Sequence, residues 1–409
     1  MKTNRFKFFL DKIEPILFEK AKNMNVPTLE EDVGVLIFEA TFYKYSKNEI
    51  YKKKALSLLD KLIQVLPDRE LSPGFLEGFE GLFFAIYYLR KCDIIEDETL
   101  LDDLMPYLFQ SLKMDIKENV YDVLHGSINK LQYLMGSEKR NDKQVTELVY
   151  NFVNSLYKHR QETEQGIFWF DEFEDEVGLV NLGLAHGITS LLVFLLRLKE
   201  LNYKHPKIMV LIEGILKSLF NFKNKILGDS NFLDFYRIND KPENKEKQVG
   251  SRLAYCYGDL GIAYALLYAS KVLKRDNLKS EGAEIVKDII QRKLGNSKLE
   301  YFDDYFFFET AFCHGLSGIT YMLMKINHLL NSPVLESRIT FWKNELIHNL
   351  TTQLKIKGKI YYPSYRQPDK TNPFIIDEVS ILGGYTGTGL VLLSLYYKKY
   401  DWSDFFLLY

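Results

Sequence analysis

A glycine turn followed by an apolar segment recurs six times along this chain of 409 residues. The first glycines of the turns lie 48 to 71 residues apart: Gly78, Gly126, Gly187, Gly258, Gly315 and Gly384. Each copy continues into a stretch such as Leu191–Leu196, in which every position is apolar. A helix that is apolar on all sides is buried on all sides, so the chain must cover six such helices.

Amphipathic stretches separate the apolar ones. Each has the 3.6-residue period of a helix with one polar face, as in Lys54–Ile63. They occupy residues 52–66, 97–114, 143–158, 206–222, 280–293 and 336–352. The compact way to cover six buried helices with six half-exposed ones is a double ring, so we predict an all-α fold, an (α/α)6 toroid. Such a fold brings the six glycine turns together at one end, around a central opening.

We predict one toroid domain over residues 1–409, with the repeats at about 47–400. Residues 1–46 have a helical pattern, chiefly Leu29–Tyr45, but match no repeat. Three connectors are long enough to be functional insertions. They are an acidic and aromatic one at 160–180, a polar one at 223–250, and one at 354–379 with a short β-hairpin predicted around residues 357–363.

The composition limits the classes of function. The formal net charge is -2, so no net field attracts nucleic acid or an anionic membrane. No apolar run reaches the roughly 18–20 residues of a membrane-spanning helix. Asp11 and Lys12 interrupt the N-terminal apolar run, so we expect no signal peptide. Three cysteines suit a reducing compartment, and we expect a cytoplasmic protein.

Two of the turns carry a cysteine at the same position. Cys256 and Cys313 each lie two residues before the first glycine of their turn, and His314 follows Cys313. If the two turns are neighbours, two thiolates and one imidazole converge. Three such ligands with a fourth position open are the composition of a catalytic zinc site.

Three of the seven histidines, His125, His186 and His314, directly precede the first glycine of a turn. Any one of them, taken alone, is as well explained as a hydrogen-bonded residue at the start of a helix. The set of three, together with the two equivalent cysteines, favours a functional site at the opening.

The motifs around these turns resemble those of the lanthionine synthetase C family, the lantibiotic cyclases. The motifs are Asp122–Gly126, Leu184–Gly187, Ser251–Gly258 and Cys313–Gly318, and the resemblance spans about residues 70–395. It implies one zinc ion per chain, bound by Cys256, Cys313 and His314. It also implies addition of peptide cysteine thiols to dehydroalanine or dehydrobutyrine, which forms the (methyl)lanthionine thioether rings of a lantibiotic precursor.

Elementary chemistry agrees with this implied reaction. A free thiol with a pKa of about 8.5 is mostly protonated at neutral pH, whereas the thiolate is the nucleophile. Coordination to a metal removes the thiol proton, and two thiolate ligands already on the metal keep a third one electron-rich. After addition to Cβ, the enolate needs a proton at Cα. A general acid must therefore lie near the metal without binding it.

The resemblance assigns the acid/base role to His186. Asp122, one helical turn before Gly126, could orient His186 or take part in proton transfer. Arg252 and Tyr257 flank Cys256. Arg252 could neutralise Asp122 or polarise the acceptor carbonyl, and Tyr257 could donate to the enolate oxygen. A structural ion pair for Arg252 and a buried, backbone-satisfied hydroxyl for Tyr257 are the alternatives.

His125 is not expected as a ligand from the family resemblance, and it is an alternative acid or a partner of the site. Cys92 has no matching partner, and we interpret it as a surface or helix-end thiol.

Two other functions stay open. A zinc-containing module on the same scaffold could bind thiol peptides or glutathione without catalysis, but it would not need His186, Asp122 or Arg252. A glycosidase would need two carboxylates across the opening, for which Glu77 and Asp122 are candidates. The paired cysteines would have no part in that chemistry.

The implied partners follow from the reaction. The substrate would be a dehydrated precursor peptide, leader plus core, and the chain has no room for a dehydratase, which must be separate. A membrane exporter is a further candidate partner, with the protein peripheral at the membrane in a biosynthetic complex. The acidic connector 160–180 is either a contact for a basic leader peptide or a solvated loop.

Overall fold

The computed structural model describes residues 4–66, 73–97, 99–171, 178–224, 230–238, 250–302, 306–357, 360, 362–364, 374–376 and 379–409. Within this part of the chain, α-helices with an exposed face alternate with buried ones. The helices with an exposed face are α1 (Arg5–Asn23), α3 (Glu49–Val65), α5 (Met105–Glu118), α7 (Lys143–His159), α9 (Pro206–Phe222), α11 (Asp276–Ile289) and α13 (Pro333–Lys357). The buried helices are α2 (Asp32–Ser46), α4 (Gly81–Lys91), α6 (Ser127–Gly136), α8 (Ile188–Glu200), α10 (Asp259–Leu273), α12 (Leu316–Leu330) and α14 (Tyr385–Tyr397).

The all-α toroid is confirmed, but the described chain has seven buried helices rather than six. The additional one is α2, from the segment that matched no repeat, and it packs between α14 and α4. The turn before α2 has Glu31 at the position where the other turns have their first glycine. It has a glycine only at the second position, Gly34. A Cβ at Gly34 would lie 2.6 Å from the carbonyl oxygen of Leu29, and one at Gly318 would lie 1.8 Å from that of Phe312. The second glycine of each turn therefore has no room for a side chain.

The turns before the buried helices form a hydrogen-bonded ring at one end of the molecule. Six of the seven junctions are made by backbone amides and carbonyls: Ile381 N to Glu30 O, Glu30 N to Leu76 O, Leu76 N to Leu124 O, Leu184 N to Cys256 O, Tyr255 N to Cys313 O, and Cys313 N to Leu382 O, all at 2.9–3.1 Å. At the remaining junction, between the turns that precede α6 and α8, the side chains of Asp122 and His186 make the connection. The predicted convergence of the turns is therefore present.

Four short antiparallel strand pairs lie in the connectors. They are β1 (Gln161–Thr163) with β2 (Gly166–Phe168), β3 (Leu179–Asn181) with β4 (Phe235–Arg237), β5 (Tyr301–Phe302) with β6 (Phe307–Phe308), and β7 (Tyr362–Ser364) with β8 (Phe374–Ile376). The β-hairpin predicted around residues 357–363 was wrong in its bounds, because the helix α13 continues to Lys357 and the strand Tyr362–Ser364 pairs with Phe374–Ile376. Residues 358–359 and 361 of that prediction lie outside the described residues, as do 172–177, the most acidic part of the first connector.

Aromatic residues near the C-terminal end of the sequence fill the interior of the ring beneath the turns. Phe406 is fully buried, and its ring stacks on that of Phe312 with the centroids 4.9 Å apart. The Tyr255 hydroxyl donates to the Phe406 carbonyl at 3.2 Å. Tyr255 and Phe312 directly precede Cys256 and Cys313. The contacts of Phe406 with Tyr255 and Phe312 therefore help to fix the positions of both cysteine turns. None of the described helices is long and apolar enough to cross a membrane.

Candidate functional site

The structure brings Cys256, Cys313 and His314 together at the opening. Their sulfur and ring-nitrogen atoms all lie within 4.8 Å of one another, and Cys313 Sγ is 3.5 Å from His314 Nε2. In a tetrahedral zinc site, with Zn–S of about 2.3 Å and Zn–N of about 2.0–2.1 Å, sulfur and nitrogen ligands are about 3.6 Å apart. The three side chains therefore fit a metal ion of this kind, and the donor set leaves one position for a further ligand.

Local backbone geometry explains why the two cysteines meet. The amide of Tyr255 donates to the carbonyl of Cys313 at 3.1 Å, which makes the two turns direct neighbours. Gly258 has φ +81°, and a Cβ there would lie 2.3 Å from Ser251 Oγ. Only glycine allows the chain to turn from Cys256 into α10 at this point.

Ionisation of the Cys313 thiol is unfavourable in this group when no cation is bound. The hydrogen bond with Cys256, followed by burial, raises the pKa of Cys313 well above its ordinary value. Burial lowers the pKa of His314, but the charge of Cys313 and its hydrogen bond outweigh burial and raise that pKa to about 8. A divalent metal would supply the positive charge that two thiolates need.

Asp122 and His186 form a hydrogen-bonded pair across the seventh junction. Asp122 Oδ2 accepts from His186 Nδ1, and Oδ1 accepts from the backbone amides of Leu124 and His125, each at 2.7 Å. Burial lowers the pKa of His186, but the hydrogen bond and charge of Asp122, with the charge of Asp171, raise it above its ordinary value. The pair fixes the tautomer of His186 and leaves Nε2 available for a ligand.

Tyr257 and His125 lie against His186. The Tyr257 ring centroid is 6.4 Å from that of His186, and the two histidine rings stack with centroids 5.8 Å apart. Burial, followed by the charge of Cys256, raises the pKa of Tyr257, so its hydroxyl stays protonated at neutral pH. Tyr257 thus interacts with both parts of the site: the charge of Cys256 affects its pKa, and its ring lies near that of His186.

Arg252 lies near the Cys256–Cys313–His314 group, where its charge lowers the pKa of His314. Among the described residues it forms no ion pair with Asp122, so the expected neutralisation of that carboxylate is not seen. Its charge acts instead on Asp234, Glu309 and His314.

Glu77 and Cys92, which the sequence analysis also considered, do not belong to the Cys256–Cys313–His314 group or to the Asp122–His186 pair. Glu77 is exposed, and Asp122 is held by His186 and by two backbone amides, so these two residues do not form the carboxylate pair that a glycosidase would need. Cys92 does end α4, but it is buried rather than on the surface.

Four polar residues near the site were not predicted. Asp171 comes from the first long connector and Asn181 directly follows it, Asp234 comes from the second, and Glu309 directly follows β6. Asn181 donates to Asp171 Oδ2 at 2.7 Å, and it also hydrogen-bonds to Tyr257. The unusual length of the first two connectors was the signal in the sequence that could have pointed to them.

A cavity of about 330 Å³ opens beside the Asp122–His186 pair. The residues 119–122 that lead to α6, the first turn of α8, the end of α7 and the connector residues Trp169, Phe170 and Asp171 line it. His186 is one of the lining residues, so a ligand in the cavity would contact it.

A model of the lanthionine synthetase C-like protein family matches residues 32–408. The chain belongs to this family. The match begins at the first residue of α2, in agreement with the place of that helix in the ring. The nisin biosynthesis protein NisC of Lactococcus lactis subsp. lactis is 25% identical to this lanthionine synthetase C-like protein over 336 residues, 74% of each chain.

The fold is shared with the solved structure of nisin cyclase. The structure of nisin cyclase matches with a TM-score of 0.74 and 21% identity, covering 98% of this chain and 97% of that one. An unsaturated glucuronyl hydrolase from Bacillus sp. GL1 matches with a TM-score of 0.47 and 16% identity, covering 95% of this chain and 96% of that one. At 21% identity the likeness to nisin cyclase concerns the fold alone.

Proposed function

We propose that this chain is a zinc-dependent cyclase that adds peptide cysteine thiols to dehydroalanine or dehydrobutyrine, forming the (methyl)lanthionine rings of a lantibiotic precursor. The observation that carries the proposal is the position of the Cys256–Cys313–His314 group next to the Asp122–His186 pair, with Tyr257 coupled to both. A thiol-activating centre and a proton donor are the two components that thioether formation needs.

Cys256, Cys313 and His314 would hold the metal. Zinc bound there would supply the positive charge that converts an incoming peptide thiol to its thiolate at neutral pH. Cys256 is 1% exposed, and the turns that carry both cysteines are fixed by backbone hydrogen bonds. The protein therefore presents the three ligands in a nearly fixed arrangement and leaves the opening to the peptide.

His186 is the proton donor in this proposal. As the S–Cβ bond forms, the Cα=Cβ π electrons move onto the carbonyl oxygen, and the enolate then takes a proton at Cα from the His186 imidazolium. The proton lost by the thiol balances the one gained by Cα, so the reaction needs no oxidant or reductant. Asp122 stabilises the imidazolium and holds it in one tautomer.

Tyr257 and Arg252 would stabilise the charge that develops on the carbonyl oxygen. The raised pKa of Tyr257 keeps its hydroxyl a neutral donor. Arg252 contributes a positive charge on the same side as His314. Donors held in place before the reaction lower the barrier because they need no reorganisation as the charge develops.

The partners follow from the proposed reaction. A separate dehydratase must supply the dehydrated precursor, and a membrane exporter would take the product. We place the protein in the cytoplasm, peripheral at the membrane where such a complex assembles.

Zinc analysis of matched cysteine variants tests the metal site. We expect about one zinc per chain in the purified protein, its loss in Cys313→Ala, and its retention in Cys92→Ala. Cys92 is the matched control because it is as buried as Cys256 but lies at the end of α4, outside the ligand group. A zinc content that both variants share would remove the basis of the proposal.

Turnover tests the proton donor. Free thiols of a dehydrated precursor are alkylated after incubation with the protein and counted by mass spectrometry. His186→Ala should keep zinc but stop cyclisation. If wild type binds the peptide and zinc without loss of free thiols, the chain is a thiol-peptide-binding module instead.

A further inference from the structure

Three side chains beside the cavity form a second group that could hold a metal ion. Asp122, His125 and His186 each offer one ligand atom, and these atoms lie within 4.8 Å of one another. The acid/base role proposed above uses the Asp122–His186 pair and leaves His125 without a function. Two imidazoles and one carboxylate are a common ligand set for zinc and for other divalent transition metals.

The backbone of His125 is fixed, whereas its side chain is free to turn. The amide of His125 donates to Asp122 Oδ1 at 2.7 Å, which keeps the residue beside the carboxylate. Its ring lies parallel to that of His186 with the centroids 5.8 Å apart, and no described residue hydrogen-bonds to it. Nitrogen and oxygen ligands of a tetrahedral zinc ion are about 3.4 Å apart, for metal–ligand distances of about 2.0–2.2 Å. A turn of the His125 ring toward His186 and Asp122 would close the remaining distance.

The charges around His186 favour a cation. The negative charges of Asp122 and Asp171 both act on His186. The charge of His314 acts on it as well, so the two groups of candidate ligands are neighbours. Zinc bound with His314 would be neutralised by its two thiolate ligands, and it would therefore not repel a second divalent ion nearby.

An ion would reach this group through the cavity of about 330 Å³. Asp122 and His186 are among its lining residues, and the side chain of His186 is 26% exposed. Water in the cavity would supply the remaining ligand, as in zinc sites that have only three protein ligands.

We propose that Asp122, His125 and His186 form a second, weaker zinc site whose occupation inhibits cyclisation. The inhibition rests on the proposed function, because it takes His186 to be the proton donor, whereas the binding of the ion does not. A metal ion on either ring nitrogen prevents His186 from carrying two protons, so the imidazolium that would protonate Cα cannot form; any proton displaced from the ring passes to water. The site is the weaker of the two because it lacks thiolate ligands.

Zinc titration tests the second site independently of catalysis. The protein is dialysed until its zinc content is constant, and zinc chloride is then added in an isothermal titration calorimeter. We expect about one further ion per chain in wild type, bound more weakly than the first. Cys313→Ala should lose the first ion and keep the second, because Cys313 is not in the second group.

Two matched variants locate the second ion. His125→Phe should keep the first ion and lose the second, because phenylalanine preserves a ring beside His186 but has no ligand nitrogen. His159→Phe should keep both, because His159 lines the same cavity but lies outside both groups. Retention of the first ion shows that a variant is folded, and His125→Gln provides the same test if phenylalanine is not accommodated. The absence of a second ion in wild type, or a second ion that both His125 variants retain, would overturn the site.

Cyclisation rates with and without added zinc test the inhibition, with each protein compared only with itself. At a free zinc concentration ten times the second dissociation constant, about 90% of the sites are filled, so the wild-type rate should fall about tenfold. The same addition should leave the rate of His125→Phe nearly unchanged. An equal fall in both proteins would assign the inhibition to capture of zinc by the peptide thiols and would overturn it as a property of this site.

Failure of the second site is distinguishable from failure of the cyclase function. A second ion that depends on His125, in a protein that does not cyclise the peptide, would keep the site and reject the activity. Cyclisation at the full rate with the second ion bound would keep the activity and overturn the inhibition, together with the role of His186 as proton donor.

Discussion

Replacing Asp122 by asparagine tests the proton donor while leaving the fold of its turn intact. The asparagine side chain would keep an oxygen at the position of Oδ1, which accepts from the amides of Leu124 and His125 at 2.7 Å. At the position of Oδ2 it would place an NH₂ group, which cannot accept the proton of His186 Nδ1. The substitution therefore removes the charge and the hydrogen bond that fix the tautomer of His186.

The size of the effect follows from the interaction that is lost. A buried hydrogen bond to a charged group contributes about 1.5–3 kcal/mol, which corresponds to roughly 10- to 150-fold in rate if it acts in the transition state. The side chain of Asp122 is only 3% exposed, so water does not replace the lost partner. We expect cyclisation to slow by this factor at neutral pH.

The pH dependence identifies the group. In the proposed mechanism His186 is the acid, so the rate should fall as pH rises through its pKa. That pKa lies above the ordinary value in wild type because Asp122 outweighs burial. In Asp122→Asn, burial still lowers the pKa of His186, but the aspartate that raised it is gone. The pKa of His186 should therefore be lower in the variant than in wild type. The loss of activity should therefore be larger at pH 8 than at pH 6.

The assay is the count of alkylated thiols in a dehydrated peptide between pH 6 and pH 8.5, with zinc content measured in parallel. His125→Gln is the comparison, because His125 stacks on His186 but does not hold Asp122 through its side chain. The reasoning is wrong if Asp122→Asn leaves the pH profile unchanged, or if His125→Gln shifts the profile and Asp122→Asn does not. Loss of zinc in Asp122→Asn would also refute it.

Three further predictions concern stability. Lys130→Met should destabilise the fold by about 3–5 kcal/mol in denaturant unfolding, because Lys130 is 1% exposed and balances the carboxylates of Glu80 and Asp115. Burial and then Glu14 raise the pKa of Glu39 in the folded state, so the wild-type protein loses stability as pH rises above the pKa of an unfolded glutamate. Glu39→Gln removes this titrating group, so the difference in Tm between pH 5 and pH 8 should be smaller in the variant. Phe406→Ala should cost about 3–5 kcal/mol and weaken zinc retention against a chelator, whereas Phe405→Ala should cost stability only, since Phe405 does not stack on Phe312 or Tyr255. An equal effect of both on zinc would contradict this last explanation.

The sequence predicted that Cys256, Cys313, His314 and His186 lie close together, because these residues belong to the repeat. The two cysteines lie two residues before the first glycine of their turns and the two histidines one residue before it, and a toroid brings the starts of the buried helices together. The number of buried helices was wrong because the recognisable signal was the first glycine of the turn. In α2 that position is Glu31, and only Gly34, whose Cβ would approach a carbonyl oxygen, is kept.

The sequence by itself predicted the helical ring and the grouping of Cys256, Cys313 and His314 near His186, since periodicity and position within a repeat are local properties of the chain. Only the tertiary structure decided the surroundings. Asp171, Asn181 and Asp234 come from connectors with no repeat, and β3 with β4 brings those connectors together at the opening. The charge of Arg252 acts on Asp234 and Glu309, whereas Arg252 forms no ion pair with Asp122 among the described residues. The Asp122–His186 hydrogen bond, which joins the turns before α6 and α8, lies beside the cavity. Contacts of this kind depend on how distant segments pack, and no spacing along the chain encodes them.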